Sequence, residues 1–179
     1  MTQQGTVAVF GSSQTEPGSP QWDDAFRAGA LLAGAGHPVM TGGYGGTMEA
    51  VSMGAAEAGG HVIGVVASIL FPGRTGANKY VAEVIEATSL SNRIDIMMQK
   101  SFATLALPGS IGTAAELVIS WNTNHILRHS GARPRVSVAV GSGWRALARA
   151  LVDSGAFEED VWWVDTVDEG VDRILRTED

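Results

Sequence analysis

The sequence contains no cysteine, which excludes a disulfide scaffold and thiolate metal ligation. Basic residues are scarce. Against 19 Asp and Glu stand 12 Lys and Arg, giving a formal charge of −7. A surface of that sign repels polyanions, so nucleic acid is not an expected partner, and a DNA-processing role on a related core is disfavoured. A single phosphate held by local backbone amides is not excluded, because such a nest acts only at short range. Long apolar runs are also missing. The run Val7-Ala8-Val9-Phe10 near the polar N-terminus is too short for a signal peptide or a membrane span. No membrane partner is expected, and the default location is the cytoplasm. With 17% charged and 45% hydrophobic residues, the chain is neither disordered nor a membrane protein.

What is abundant is glycine, 23 of 179 residues, gathered in short clusters rather than in a repeat. The length suits one domain over residues 1–179. Apolar runs at Thr6–Phe10, Pro38–Thr41, His61–Val66, Phe102–Leu107 and Arg135–Val140 predict buried strands, and Val81–Thr88 and Val161–Val164 predict weaker ones. Between them, helical spacing predicts helices over Trp22–Ala33, Thr47–Ala58, Leu90–Lys100, Thr113–His129, Gly143–Asp153 and Val167–Leu175; 67–77 predicts a loop. Continuous apolar strands alternating with helices predict an α/β fold: a doubly wound, mainly parallel, Rossmann-like sheet with helices on both faces.

Strand ends open into glycine loops at Gly11-Ser12-Ser13, at Gly42-Gly43-Tyr44-Gly45-Gly46-Thr47 and at Gly109-Ser110-Ile111-Gly112-Thr113. The last two lead directly into helices. Unpaired N–H groups and the helix dipole make such a turn a site for a phosphate. Glycine there serves equally well as a plain turn residue. Two such loops at the carboxyl ends of strands of one sheet cluster around one crevice, which strengthens the phosphate reading. Neither is a Walker A motif, and neither is a full dinucleotide fingerprint with its distant acid. No bound cofactor is expected.

Glu116 falls within a turn of the positive end of the helix after Gly112, where a carboxylate is stabilised. Thr113-Ala114-Ala115-Glu116 also fits a capping box, with Glu116 folded back onto the Thr113 amide. Arg93 sits on the helix that feeds the strand before Pro108, and Glu49 follows the second glycine loop; either can face the crevice or solvent. His125 and His129 lie one turn apart, but no acid stands between them in a zincin pattern, and no metal site is expected. Trp121, Trp162 and Trp163 read as core or interface, and Trp121, Ile126 and Leu127 as apolar residues able to be exposed and to support self-association.

These motifs resemble the LOG family, often mislabelled "lysine decarboxylase-like", which hydrolyses cytokinin nucleotides. Its hallmark Pro-Gly-Gly-x-Gly-Thr-x-x-Glu reads here Pro108-Gly109-Ser110-Ile111-Gly112-Thr113-Ala114-Ala115-Glu116. Gly42 to Met48 is similar to the family's upstream glycine loop, Val7 to Ser13 to its first strand and loop, and Arg93 falls where its active-site arginine stands. Gly59 to Val65 is also similar. The resemblance spans about residues 6–140. It implies a Rossmann-like fold, a homodimer, and a nucleoside 5′-monophosphate (AMP or N6-modified AMP) cleaved at its N-glycosidic bond to free base and ribose 5-phosphate. It implies Glu116 and Arg93 as the catalytic pair. Gly43, Gly45, Gly46, Gly109, Gly112 and Thr113 would bind phosphate, with Gly11, Ser12, Thr47 and Ser110 in the same loops. Two positions depart from the pattern. Ser110 replaces the second glycine of the hallmark, and Ile94 stands where plant enzymes usually carry Lys. Relatives on this fold are thought to carry molybdenum cofactor, so a non-catalytic carrier is the alternative.

Overall fold

The computed structural model describes residues 4–73, 76–155 and 158–177. The expected loop over 67–77 is therefore described except at 74 and 75. Strands β1 (Val7–Phe10), β2 (Val39–Thr41), β3 (Val62–Val66), β4 (Glu83–Glu86), β5 (Ala103–Ala106), β6 (Val136–Val140) and β7 (Trp162–Val164) form one sheet in the order β4-β3-β2-β1-β5-β6-β7. Every neighbouring pair is parallel. The helices are α1 (Pro20–Gly34), α2 (Thr47–Glu57), α3 (Leu90–Lys100), α4 (Ile111–His129), α5 (Gly143–Val152) and α6 (Val167–Leu175).

The alternation of side chains along each strand splits the core into two layers. Val7, Val9, Val39, Val62 and Leu105 pack against α1, α2 and α6 on one face. Ala8, Phe10, Met40, Ile63 and Val65 pack against α3, α4 and α5 on the other. This is the doubly wound arrangement predicted by the unbroken apolar strands. Chain order runs outward from β1 in one direction and from β5 in the other, so the sheet reverses between these two strands. A crevice opens at the carboxyl ends at such a point. The register pairs Phe10 with Ala106, which brings the loops after β1 and β5 level at the same edge.

Local chemistry explains where the helices begin. α1 starts at Pro20, two residues before the apolar pattern, because Ser19 caps it by accepting from the Trp22 amide and proline is compatible with the first helical position. α4 likewise starts at Ile111 rather than Thr113, with Ser110 as N-cap. The capping box considered at Thr113–Glu116 therefore does not form, because Thr113 is already a turn inside the helix. α1 and α2 approach so closely that a Cβ on Gly29 would overlap the Val51 carbonyl and one on Gly54 would overlap the Phe26 carbonyl. No helix among the described residues is long and apolar enough to cross a membrane.

Candidate active site

The crevice between β1 and β5 encloses about 220 Å³. Its floor is an ion pair. Arg93, one turn into α3, is 7% exposed, and Glu116, on the second turn of α4, is 8% exposed. The Arg93 Nη1 donates to Glu116 Oε1 at 3.2 Å. Its Nε donates to the Val65 carbonyl at 2.8 Å, and its Nη2 points at the Met48 sulfur at 3.8 Å. The Tyr44 ring lies 6.0 Å from the guanidinium carbon. Arginine's planar fork suits this, since separate N–H groups reach separate partners without rotation. The Val65 carbonyl is available because β2 ends at Thr41, opposite Gly64, one residue before it.

Gly42 permits this seat. A Cβ there would overlap Arg93 Nη2 and crowd the Met48 sulfur. Nothing in the sequence distinguished Gly42 from the glycines that follow it, because the requirement comes from a side chain 51 positions away in the chain. Ser13 and Met48, which end the two stretches named for their motifs, also line the cleft, together with Phe71 and Leu90, which lie outside those motifs.

Burial pushes the Glu116 carboxyl up to about 7, with the charge and hydrogen bond of Arg93 pulling the other way. Desolvation of a carboxylate outweighs one cationic neighbour here. The group is thus poised to exist in both protonation states near neutrality.

The cleft wall above Glu116 is the first turn of α4. Ser110, Gly112 and Thr113 line it, and the Ser110 side chain makes no capping bond. The first intrahelical donor of this turn is the Ala114 amide, bonded to the Ser110 carbonyl. The amides before it are therefore the open end of the helix. Thr113 Oγ1 is buried with no hydrogen-bond partner among the described residues.

The other predicted residues are distributed unevenly. Gly11 lines the cleft, with its Cα against the Thr47 side chain. Gly109 lies beneath Thr113 rather than in the cleft wall. In the Gly42–Thr47 loop the Gly43 and Thr47 amides and the Thr47 hydroxyl are bonded to neighbours. The Gly43 amide donates to Thr41 Oγ1 at 3.1 Å, and the Thr47 amide donates to the Ser12 carbonyl at 2.8 Å. Thr47 Oγ1 shares a hydrogen bond with Thr15 Oγ1. Ser12 Oγ accepts from the Gln14 amide. Gly46, with φ +69°, lets the chain turn against the backbone of Ser12 and Ser13. Gly45 faces an adjoining cavity that meets the cleft at Ser13.

Away from this crevice, Trp121 follows the core reading and not the exposed one. It is 2% exposed and packs edge-on against Trp163, rings 5.0 Å apart. Leu127 is half-buried and Ile126 is exposed. The His125 and His129 rings lie 4.3 Å apart, tilted by 46°, and the described residues hold no cluster of three or more His, Cys, Asp or Glu able to bind a metal.

Residues 4–140 match the SLOG cluster4 family. The chain is 33% identical over 135 residues to a cytokinin riboside 5′-monophosphate phosphoribohydrolase of Mycobacterium tuberculosis, covering 73% of this chain and 71% of that protein. It is 38% identical over 121 residues to a phosphoribohydrolase of the same name from Arabidopsis thaliana, covering 65% and 55%. Among solved structures, the molybdenum cofactor binding protein of Rippkaea orientalis superposes with a TM-score of 0.75 at 20% identity, covering 99% of each chain. That likeness is one of fold.

Proposed function

The chain belongs to the SLOG cluster4 family, within the LOG proteins, and from that premise we propose that its cleft hydrolyses the N-glycosidic bond of a nucleoside 5′-monophosphate, AMP or an N6-modified AMP, in the cytoplasm. The observation that carries this is the buried Arg93–Glu116 pair on the floor of a cleft whose wall is an open helix N-terminus.

Cleavage of the bond builds positive charge on the ribose, as it does in glycoside hydrolysis. The Glu116 carboxylate stabilises that charge or orients the attacking water. Arg93 holds the carboxylate in one geometry and favours its ionised form. The open amides of the first turn of α4 and the Thr113 hydroxyl receive the phosphate, which fixes the sugar relative to Glu116 and turns remote binding energy into alignment. Water adds to the anomeric carbon, the base departs with a proton, and ribose 5-phosphate remains.

The test is release of free base from a panel of nucleoside monophosphates, followed by chromatography. Glu116→Gln is expected to cut turnover by about 10²–10⁴-fold with the fold intact. Unchanged turnover in that variant removes the proposal. A carrier reading uses the same anion site, and the full-length superposition on a molybdenum cofactor binding protein favours keeping it. Tight binding of a phosphate-bearing ligand with no base release from any nucleotide selects it.

A further inference from the structure

The two glycine loops that look alike in sequence differ in chemistry. The loop before α4 ends in open amides and an unpartnered hydroxyl. The loop before α2 has its Gly43 and Thr47 amides taken. Although the Met48 and Glu49 amides precede the first intrahelical donor, Ala50, that first turn carries the Glu49 carboxylate, a group with no counterpart in the first turn of α4. Glu49 lines the cavity of about 400 Å³ that adjoins the cleft at Ser13.

The polar groups of that cavity are mostly committed. Asn78 donates its Nδ2 to the Gly43 and Tyr44 carbonyls and accepts from the Tyr80 amide. The Tyr44 hydroxyl accepts from the Ala67 amide. Glu49 is half-buried and makes no hydrogen bond or ion pair with any described residue. It is also the sole charged side chain among the described residues lining the cavity. Both helices present open first-turn amides, but only the α2 end carries a carboxylate, which disfavours an anion there and offers a hydrogen-bond acceptor instead. Glu116 and Arg93 lie in the cleft walled by the first turn of α4. In a nucleoside monophosphate the base on C1′ and the phosphate-bearing arm on C4′ extend from the two ends of the sugar, so a phosphate at the first turn of α4 with the anomeric carbon at Glu116 leaves the base to extend beyond Glu116.

We propose that the Glu49 cavity receives the amino-bearing edge of the nucleobase, with the Glu49 carboxylate accepting from the exocyclic amino group. A base with an oxygen at that position is rejected, because two acceptors then face each other across the contact. The inference rests on the phosphoribohydrolase reading of the cleft and names what selects its substrate.

The experiment measures binding by calorimetry to Glu116→Gln, which holds nucleotide without turnover, and to Glu116→Gln combined with Glu49→Gln. The ligands are AMP, IMP, 2′-deoxy-AMP and ribose 5-phosphate. Expected is a preference for AMP over IMP of about tenfold or more, the scale of a hydrogen bond to a charged group. Glu49→Gln brings that preference close to one, since an amide accepts from an amine and donates to an oxygen. Ribose 5-phosphate affinity stays within about twofold, which shows that the anion end and the fold are intact. Equal binding of AMP and IMP to Glu116→Gln, or an AMP preference that survives Glu49→Gln, overturns the inference and leaves the phosphoribohydrolase reading standing. Loss of AMP and IMP alike, with 2′-deoxy-AMP unaffected, assigns Glu49 to the ribose and also overturns it. No binding of ribose 5-phosphate or of any nucleotide overturns the reading of the cleft itself.

Discussion

At the scale of single residues, the site is a matter of one glycine and one carboxyl. Gly42 leaves room for the Arg93 guanidinium where any Cβ would displace it. Its backbone conformation is open to alanine, since φ at Gly42 is not positive, so Gly42→Ala is expected to fold. The far end of Arg93 must then move off Glu116. A shift on the order of an ångström in catalytic geometry costs about 10²-fold, so turnover is expected to fall by that order with little change in KM for the nucleotide, measurable by steady-state kinetics. Glu116 supplies a second prediction. Its carboxyl sits near 7 in the folded protein, raised by burial from 4.5. If the ionised form is the active one, kcat/KM rises with pH below about 7 and levels above it, and Glu116→Gln has a flat profile at low activity. Stability runs the other way. The folded state holds this proton more tightly than the unfolded chain, so the contribution is full below the unfolded value of 4.5 and is lost as pH rises through about 7. Urea melts of wild type and Glu116→Gln across that window should diverge accordingly. Glu116 was legible as a candidate from its motif, and Arg93 from the family resemblance. Their contact was not, because a lone Arg on a helix with apolar neighbours looks the same whether it faces water or the crevice.

At the scale of elements, helix ends and helix contacts decide what happens. The first turn of α4 carries a buried hydroxyl, Thr113 Oγ1, with no partner among the described residues. Thr113→Val keeps the shape and removes that group. An unsatisfied buried polar group costs about 1–3 kcal/mol, so the unliganded variant is expected to melt no lower than wild type while binding ribose 5-phosphate more weakly, readable by thermal shift and calorimetry. The contact between α1 and α2 gives the opposite sign from intuition. Alanine normally improves a helix interior over glycine by about 1 kcal/mol. At Gly54 the added methyl meets the Phe26 carbonyl of the neighbouring helix, and overpacking against backbone costs about 1–3 kcal/mol or more. Gly54→Ala is therefore expected to lower the Tm, at about 2–4 °C per kcal/mol for a protein of this size. The small-residue face of α2 was legible in the sequence. The tightness of the approach was not, because it depends on which carbonyl of α1 lies opposite.

At the scale of the whole molecule, large apolar side chains remain exposed around the cleft and along α4. Ile111 is 86% exposed at the start of α4, Leu90 is 48% exposed at the opposite lip, and Ile119 and Ile126 are exposed further along α4. Self-association as a homodimer is the expectation that this surface and the family motifs support, and sedimentation should give twice the chain mass of 18.7 kDa; a monomer at micromolar concentration counts against it. The amino-acid sequence by itself determined the fold class, because unbroken apolar strands alternating with helices can be covered only in a parallel sheet layered on both faces. It also determined which residue types could do chemistry, because glycine loops before helices and an acid one turn inside a helix are local patterns. Only the tertiary structure decided that Arg93 meets Glu116, that Gly42 makes room for them, and that the two glycine loops are not equivalent. Those facts depend on which groups come to face one another across the switch between β1 and β5 and on which amides are already taken, and neither is written in the spacing of residues along one chain.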